Sequence, residues 1–167
     1  MPKNLSENLI EIEKYLDKYK NKTLSHFIGG KEVMSLSGNT FENYSPVNNE
    51  KIGSIASGAE EDIELACDIA KNVSDEWRKT SGKIKQKLLH KIADGIEKRA
   101  REIALVESYD SGQAIRFMSK AAIRSAANFR FFADMAPNAC DGKALPADEH
   151  LNYSIRQPIG PVGVITP

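Results

Sequence analysis

Apolar residues recur at Leu5, Leu9, Ile12, Leu16 and Tyr19, with Lys, Glu and Asp between them. The alternating spacing of four and three is that of one helix face. The run is too short for a coiled coil. It reads as a helix packed on its own domain, with partner binding as the competing use. After Thr23 the texture turns to strand. Ser25 to Ile28 and Lys31 to Met34 flank Gly29-Gly30, whose permissive backbone supplies the positive φ angles of a tight hairpin turn. Thr40 to Tyr44 and Lys51 to Ala56 predict a second strand pair around a turn at Ser45-Pro46-Val47-Asn48-Asn49.

Three helical patterns follow. Ser57 with Glu60 matches an S-x-x-E capping box, and Ile63, Ala66, Ile69, Ala70, Val73 and Trp77 continue it as a helix of about four turns. Ser81 caps the next, whose stripe Ile84, Leu88, Ile92, Ile96 and Ala100 continues through Ile103, Leu105 and Val106 to Gly112, loosened midway at Gly95. The third runs from about Ala114 to Ala136, with Met118, Ala122, Ala126, Phe129 and Ala133 on one face, until Pro137 stops it. Asp141-Gly142 is a turn. Leu151 to Arg156 alternates as a half-wet strand, and Val162-Gly163-Val164-Ile165-Thr166-Pro167 reads as a short strand buried on both faces of a parallel sheet. No helix or neighbouring strand follows to cover that last strand. The expectation is therefore the amino-terminal part of a longer α/β protein.

Composition narrows the functional classes. The 167 residues hold 23 Lys plus Arg against 23 Asp plus Glu, and 41% are apolar, which suits one ordinary core. With no net charge and no block of one sign, the footprint of nucleic-acid or anionic-membrane binding is missing, so neither is expected as a partner. No spanning run and no leader pattern is legible, and the chain reads as cytoplasmic. Cys67 and Cys140 form no C-x-x-C, and His26, His90 and His150 form no H-E-x-x-H. Neither cysteine has the charged surroundings of an activated thiol. There is no G-x-S-x-G, P-loop or G-x-G-x-x-G. The run Lys83, Lys85, Lys87, Lys91 alternates with Ile84, Gln86 and Leu88 and reads as a solvated helix face.

Taken in order, five segments resemble the amino-terminal region of NAD(P)-dependent aldehyde dehydrogenases. They are Phe27-Ile28-Gly29-Gly30, then Asn43-Tyr44-Ser45-Pro46 with Ile52-Gly53, Ile92-Ala93-Asp94, Glu107-Ser108-Tyr109-Asp110-Ser111-Gly112, and Pro158 to Pro167. The resemblance covers about residue 25 to the end, and its closing run is similar to a family strand that continues into Trp-Asn. Within the family, Asn128-Phe129-Arg130-Phe131-Phe132-Ala133, Leu151-Asn152-Tyr153 and Gln157-Pro158 are most similar to dehydrogenases of carboxylated semialdehydes from aromatic catabolism.

The resemblance implies an α/β fold built from outer hairpins, long helices, the first strand of a Rossmann-like cofactor domain and an oligomerisation hairpin arm. Residues 1–24 would be a helical extension, 25–140 and 159–167 part of the cofactor domain, and 141–158 the arm that pairs subunits of a homo-oligomer. Ile165, Thr166 and Pro167 match positions that line NAD or NADP, at the carboxyl end of a strand where open α/β sheets bind ligands. Arg124 matches a place bordering the substrate tunnel, where a guanidinium can hold a carboxylate bidentately. Asn43, Tyr44 and Asp110 match positions that in some members hold a monovalent cation through backbone carbonyls and a carboxylate. The family's catalytic cysteine, general-base glutamate, glycine-rich turn and catalytic domain have no counterpart among these residues. The implied activity, oxidation of an aldehyde to the acid, is thus that of the parent enzyme, and this chain alone is expected to be inert. The alternative is a non-catalytic helical interaction module.

Overall fold

A computed structural model describes residues 4–20 and 22–166. Helix α1, Leu5–Leu16, starts at a reciprocal cap: the Glu7 amide donates to Asn4 Oδ1 at 2.9 Å and the Asn4 amide to Glu7 Oε2 at 2.8 Å. From Leu9 onward its stripe turns inward, while Leu5 stays 68% exposed. Ile12 and Leu16 join Ile52, Leu105 and Tyr109 in the buried core, with Leu9, Tyr15, Tyr19 and Ile115 around them. The α1 stripe therefore packs on its own fold, as its spacing suggests.

Strands β1, Thr23–Leu24, β4, Thr40–Tyr44, and β5, Lys51–Ala56, form a sheet in the order β1-β5-β4. β1 runs parallel to β5, pairing Thr23 with Ser54, and β4 runs antiparallel to it with a bulge between Asn43 and Tyr44. β2, His26–Ile28, and β3, Lys31–Val33, form the expected hairpin, with Gly29 and Gly30 at φ 61° and 78°.

Helix α2, Glu60–Lys79, is 20 residues long, longer than its sequence pattern suggests, and its cap differs from expectation. Ser57 follows directly on β5, its amide donating to the Asn39 carbonyl at 2.8 Å. The capping acceptor is Asp62, which takes the Ala59 amide at 2.9 Å, the Leu36 amide at 2.9 Å and the Ser35 hydroxyl at 2.9 Å. Docking against the Ser35-Leu36 turn selects this buried carboxylate over Glu60. Its three donors hold the Asp62 carboxyl below the usual range, the Ala59 amide contributing most.

The long second pattern is two helices, not one. α3, Gly82–Lys98, begins at Ser81 as expected and passes unbroken through Gly95, but Arg99 leaves helical geometry at φ −107°, ψ 11° before α4, Ala100–Ser111. The guanidinium of Arg99 turns onto Glu102, with Nε and Nη2 each at 2.9 Å. Both segments pack on α5, Ile115–Met135, and after the break α4 also packs on α1. Arg130 of α5 bonds Asp94 and Glu97 of α3, and Asp134 takes His90 at 2.9 Å. Ala122, Ala126 and Ala133 are buried on the inner face of α5, as predicted. Gly112 ends α4 in the left-handed region at φ 75°, and a single 3-10 turn at Ala136–Asn138 carries Pro137.

β6, Lys143–Leu145, pairs antiparallel with β7, Asn152–Ser154, as a small exposed ladder shorter than the strand expected from Leu151 to Arg156. Residues 162–166 form no strand, contrary to the expectation from their apolar run. Val162 and Val164 are 72% and 79% exposed. A strand persists only where a neighbour takes its amides and carbonyls, and among the described residues none runs alongside. No helix of the described residues is long and apolar enough to cross a membrane.

Candidate functional site

A cluster of polar contacts lies where the end of β4 and the following turn meet the carboxyl end of α4. Ser45 is fully buried, and its hydroxyl donates to the Tyr109 carbonyl at 2.6 Å. That carbonyl is one of the last four of α4, which have no partner inside the helix. The Ser45 oxygen in turn accepts the Val47 amide at 3.2 Å, while the Ser45 carbonyl takes the Asn49 amide and closes the turn. The Tyr109 hydroxyl reaches back to Asn48 Oδ1 and Glu50 Oε2, both at 3.1 Å, and burial pushes its pKa upward. Two of the segments that carry the family resemblance thus dock on each other residue by residue.

Beside this contact, Asn43 Nδ2 donates to Asp110 Oδ1 at 2.6 Å. The pair edges a cleft of about 180 Å³ whose other walls include Leu16, Leu24, Ile52, Ile55 and Val106. Tyr44 follows Asn43 in the strand, but its hydroxyl goes to Glu42, which also takes Lys51 Nζ at 2.6 Å. The Lys51 bond, then the Tyr44 bond, lowers the Glu42 pKa, and Glu42 in turn raises those of Tyr44 and Lys51.

The fold brings Asn43 and Asp110 together and leaves the other expected site residues apart from them. Arg124 lies exposed on α5, while Ile165 and Thr166 are exposed in the irregular 162–166 segment. Pro167 lies outside the described residues. Among the described residues, no hydrogen bond or ion pair joins Arg124, Ile165 or Thr166 to the Asn43–Asp110 pair, and no three His, Cys, Asp or Glu side chains are grouped to hold a metal ion. Cys67 and Cys140 are exposed free thiols. Ser45 and Tyr109 had no local signal as partners, because their contact spans 64 residues of chain. Asp62 had one: an acid three residues after Ala59 suits the N3 position as well as Glu60 suits its own pairing.

Hairpins, a small mixed sheet and a stack of long helices, with β4 tied to the end of α4, define a mixed α/β architecture. Residues 8–167 match the aldehyde dehydrogenase family, and the chain belongs to it. It is 34% identical to 2-hydroxymuconic semialdehyde dehydrogenase of Pseudomonas sp. (strain CF600), over 87% of this chain and 31% of that protein. It superposes on the crystal structure of HpcC from Thermus thermophilus with a TM-score of 0.89 and 38% identity, covering 95% of this chain and 31% of that one. PnpE in complex with nicotinamide adenine dinucleotide matches with a TM-score of 0.76 and 34% identity, over 81% and 28% of the two chains. The chain thus spans about 30% of the length of the curated relatives it matches.

Proposed function

We propose that this chain serves as the amino-terminal part of an NAD(P)-dependent aldehyde dehydrogenase that oxidises an aldehyde to its acid. The observation that carries the reading is the family match across residues 8–167, covering about 30% of relatives that are themselves aldehyde dehydrogenases. Residues 25–140 and 159–167 contribute to the cofactor domain, residues 1–24 an amino-terminal segment that includes α1 and β1, and residues 141–158, which include the β6–β7 ladder, the arm that pairs subunits.

In this reading Ile165, Thr166 and Pro167 lie along the nicotinamide ribose. Ile165 is fully exposed, so no other part of the described chain stands over it. These residues would hold the cofactor there, and NAD or NADP would supply the hydride acceptor for the reaction. The chain's own part is to shape that wall and to orient the substrate. Both of its cysteines are exposed free thiols with no match to the family's catalytic cysteine, and in this reading the chain by itself is inert.

The substrate is a carboxylated semialdehyde from aromatic catabolism, with the activity of 5-carboxymethyl-2-hydroxymuconate semialdehyde dehydrogenase as the specific assignment. Two observations support it: the likeness to a semialdehyde dehydrogenase of Pseudomonas, and an exposed Arg124 on α5 with its guanidinium available to a carboxylate. The test is steady-state formation of reduced cofactor by the full protein that contains this chain, with a carboxylated semialdehyde and an uncharged aldehyde compared. Arg124→Met is expected to raise KM for the carboxylated substrate about tenfold or more and to leave the uncharged one nearly unchanged, the loss of one charge-assisted pair. Equal effects on both would overturn the assignment, and no aldehyde oxidation at all would overturn the wider proposal.

A further inference from the structure

We propose that His26 is a pH-sensitive latch, its proton completing the bond that holds the β2–β3 hairpin to the start of α2. The His26 ring lies between Gly58, where a Cβ would stand 3.3 Å from its Cε1, and the Asp62 carboxylate, 3.8 Å from its Nε2. That nitrogen is buried and has no hydrogen-bond partner among the described residues. A neutral ring leaves it so in either tautomer. A bare Nε2 faces an oxygen of like sign, and an Nε2–H at 3.8 Å is too distant to bond. An imidazolium differs, because both nitrogens then donate and the positive ring is drawn toward the carboxylate. A closure of about 1 Å makes the bond. Asp62 can accept it: the Ala59 and Leu36 amides and the Ser35 hydroxyl leave one of roughly four acceptor positions open. The same donors keep the carboxyl ionised in mild acid, since they hold its pKa below the usual range.

Among the described residues, Asp62 is the one acid within 4.0 Å of a His26 ring nitrogen. Glu60 and Glu61, also in the first turn of α2, are exposed. On the hairpin, Lys31 shares the His26 face one pair nearer the turn, and Glu32 lies on the other face opposite Phe27; both are exposed. The latch sits where α2 is otherwise thinly held. β2 is the element that α2 packs against most, and Ile63, Val73 and Trp77 of α2 remain exposed. Gly29 in the hairpin turn gives a second point of approach, where a Cβ would stand 3.4 Å from Ile69. A proton held better with the hairpin docked favours docking at low pH, and that gain is lost as pH rises.

The test is hydrogen–deuterium exchange, read by mass spectrometry on the full protein that contains this chain, at about pH 5.5 and about pH 8, with rates corrected for the intrinsic pH dependence of exchange. No substrate or cofactor is needed, so the outcome is separate from the aldehyde oxidation proposed above. Protection of residues 25–37 is expected to be about five- to tenfold higher at the lower pH in the parent, the gain of one charge-assisted bond. In His26→Gln, which fills the place and cannot charge, protection is expected to be about equal at both. Equal protection at the two pH values in the parent would overturn the proposal, as would the same rise in His26→Gln. Should that variant fail to fold, the parent decides alone: a rise confined to residues 25–37 and the first turns of α2 supports the latch, and one shared by α4 overturns it.

Discussion

The Ser45 hydroxyl donates to the Tyr109 carbonyl at 2.6 Å, and both residues are buried. One bond therefore closes two structures at once, satisfying a terminal carbonyl of α4 and fixing the turn between β4 and β5. Ser45→Ala removes the donor and leaves that carbonyl without water or protein to replace it. The expected loss is about 1–3 kcal/mol of unfolding free energy, the usual penalty for a buried polar group left unpaired. Denaturant titration checks it; a midpoint unchanged within error would mean that water reaches the Tyr109 carbonyl.

Gly53 and Gly95 are expected to respond oppositely to the same substitution. A Cβ on Gly53 would stand 2.7 Å from the Tyr19 carbonyl oxygen and 3.1 Å from that of Lys22, both backbone atoms that cannot swing away. Gly53→Ala should therefore push the chain after α1 off β5 and destabilise by about 1–3 kcal/mol or more. A Cβ on Gly95 meets nothing within 4 Å, and the residue lies inside α3. Gly95→Ala should stabilise by about 0.5–1 kcal/mol through helix propensity alone. Parallel thermal melts of the two variants test both signs together.

Acid sensitivity is expected to centre on Glu102. The Arg99 guanidinium, and then Lys18 Nζ at 2.7 Å, hold its carboxyl down to about 2 from the ordinary 4.5. A carboxyl depressed in the folded state stabilises above its unfolded pKa, and the contribution fades as pH falls from about 4.5 through about 2. Glu102 itself is 11% exposed, but Lys18 and Arg99 are 57% and 58% exposed, so added salt should shrink the effect. Denaturation at a series of pH values should show Glu102→Gln less stable than the parent near neutrality and converging with it in acid. A constant gap across that range would contradict the assignment.

Local structure was largely legible along the chain. The stripe from Leu5 to Leu16, the Gly29-Gly30 hairpin, the Ser81 cap and the Gly112 stop all follow from side-chain period and from backbone angles that particular residues favour. The segments from Asn43 to Pro46 and from Glu107 to Gly112 were each recognisable as resembling the family, although no local pattern showed that they touch. Asn43 and Asp110 were named together only because the resemblance placed both at one site, and the role it gave them involved an ion rather than a bond between them.

What the sequence by itself determined is the set of elements, because period, capping chemistry and glycine conformation act within a few residues. What only the tertiary structure decided is which of several locally equal choices prevails. Asp62 displaces Glu60 as the α2 cap because the Ser35-Leu36 turn docks on it. Arg99 breaks a stripe that could have run on, where α4 turns to pack on α1 as well as α5 and Glu102 draws the guanidinium aside. The apolar run at 162–166 stays irregular for the converse reason, since a strand needs a neighbour's backbone and none of the described residues supplies one. Each outcome depends on contacts between residues far apart in the chain, which a local pattern does not encode.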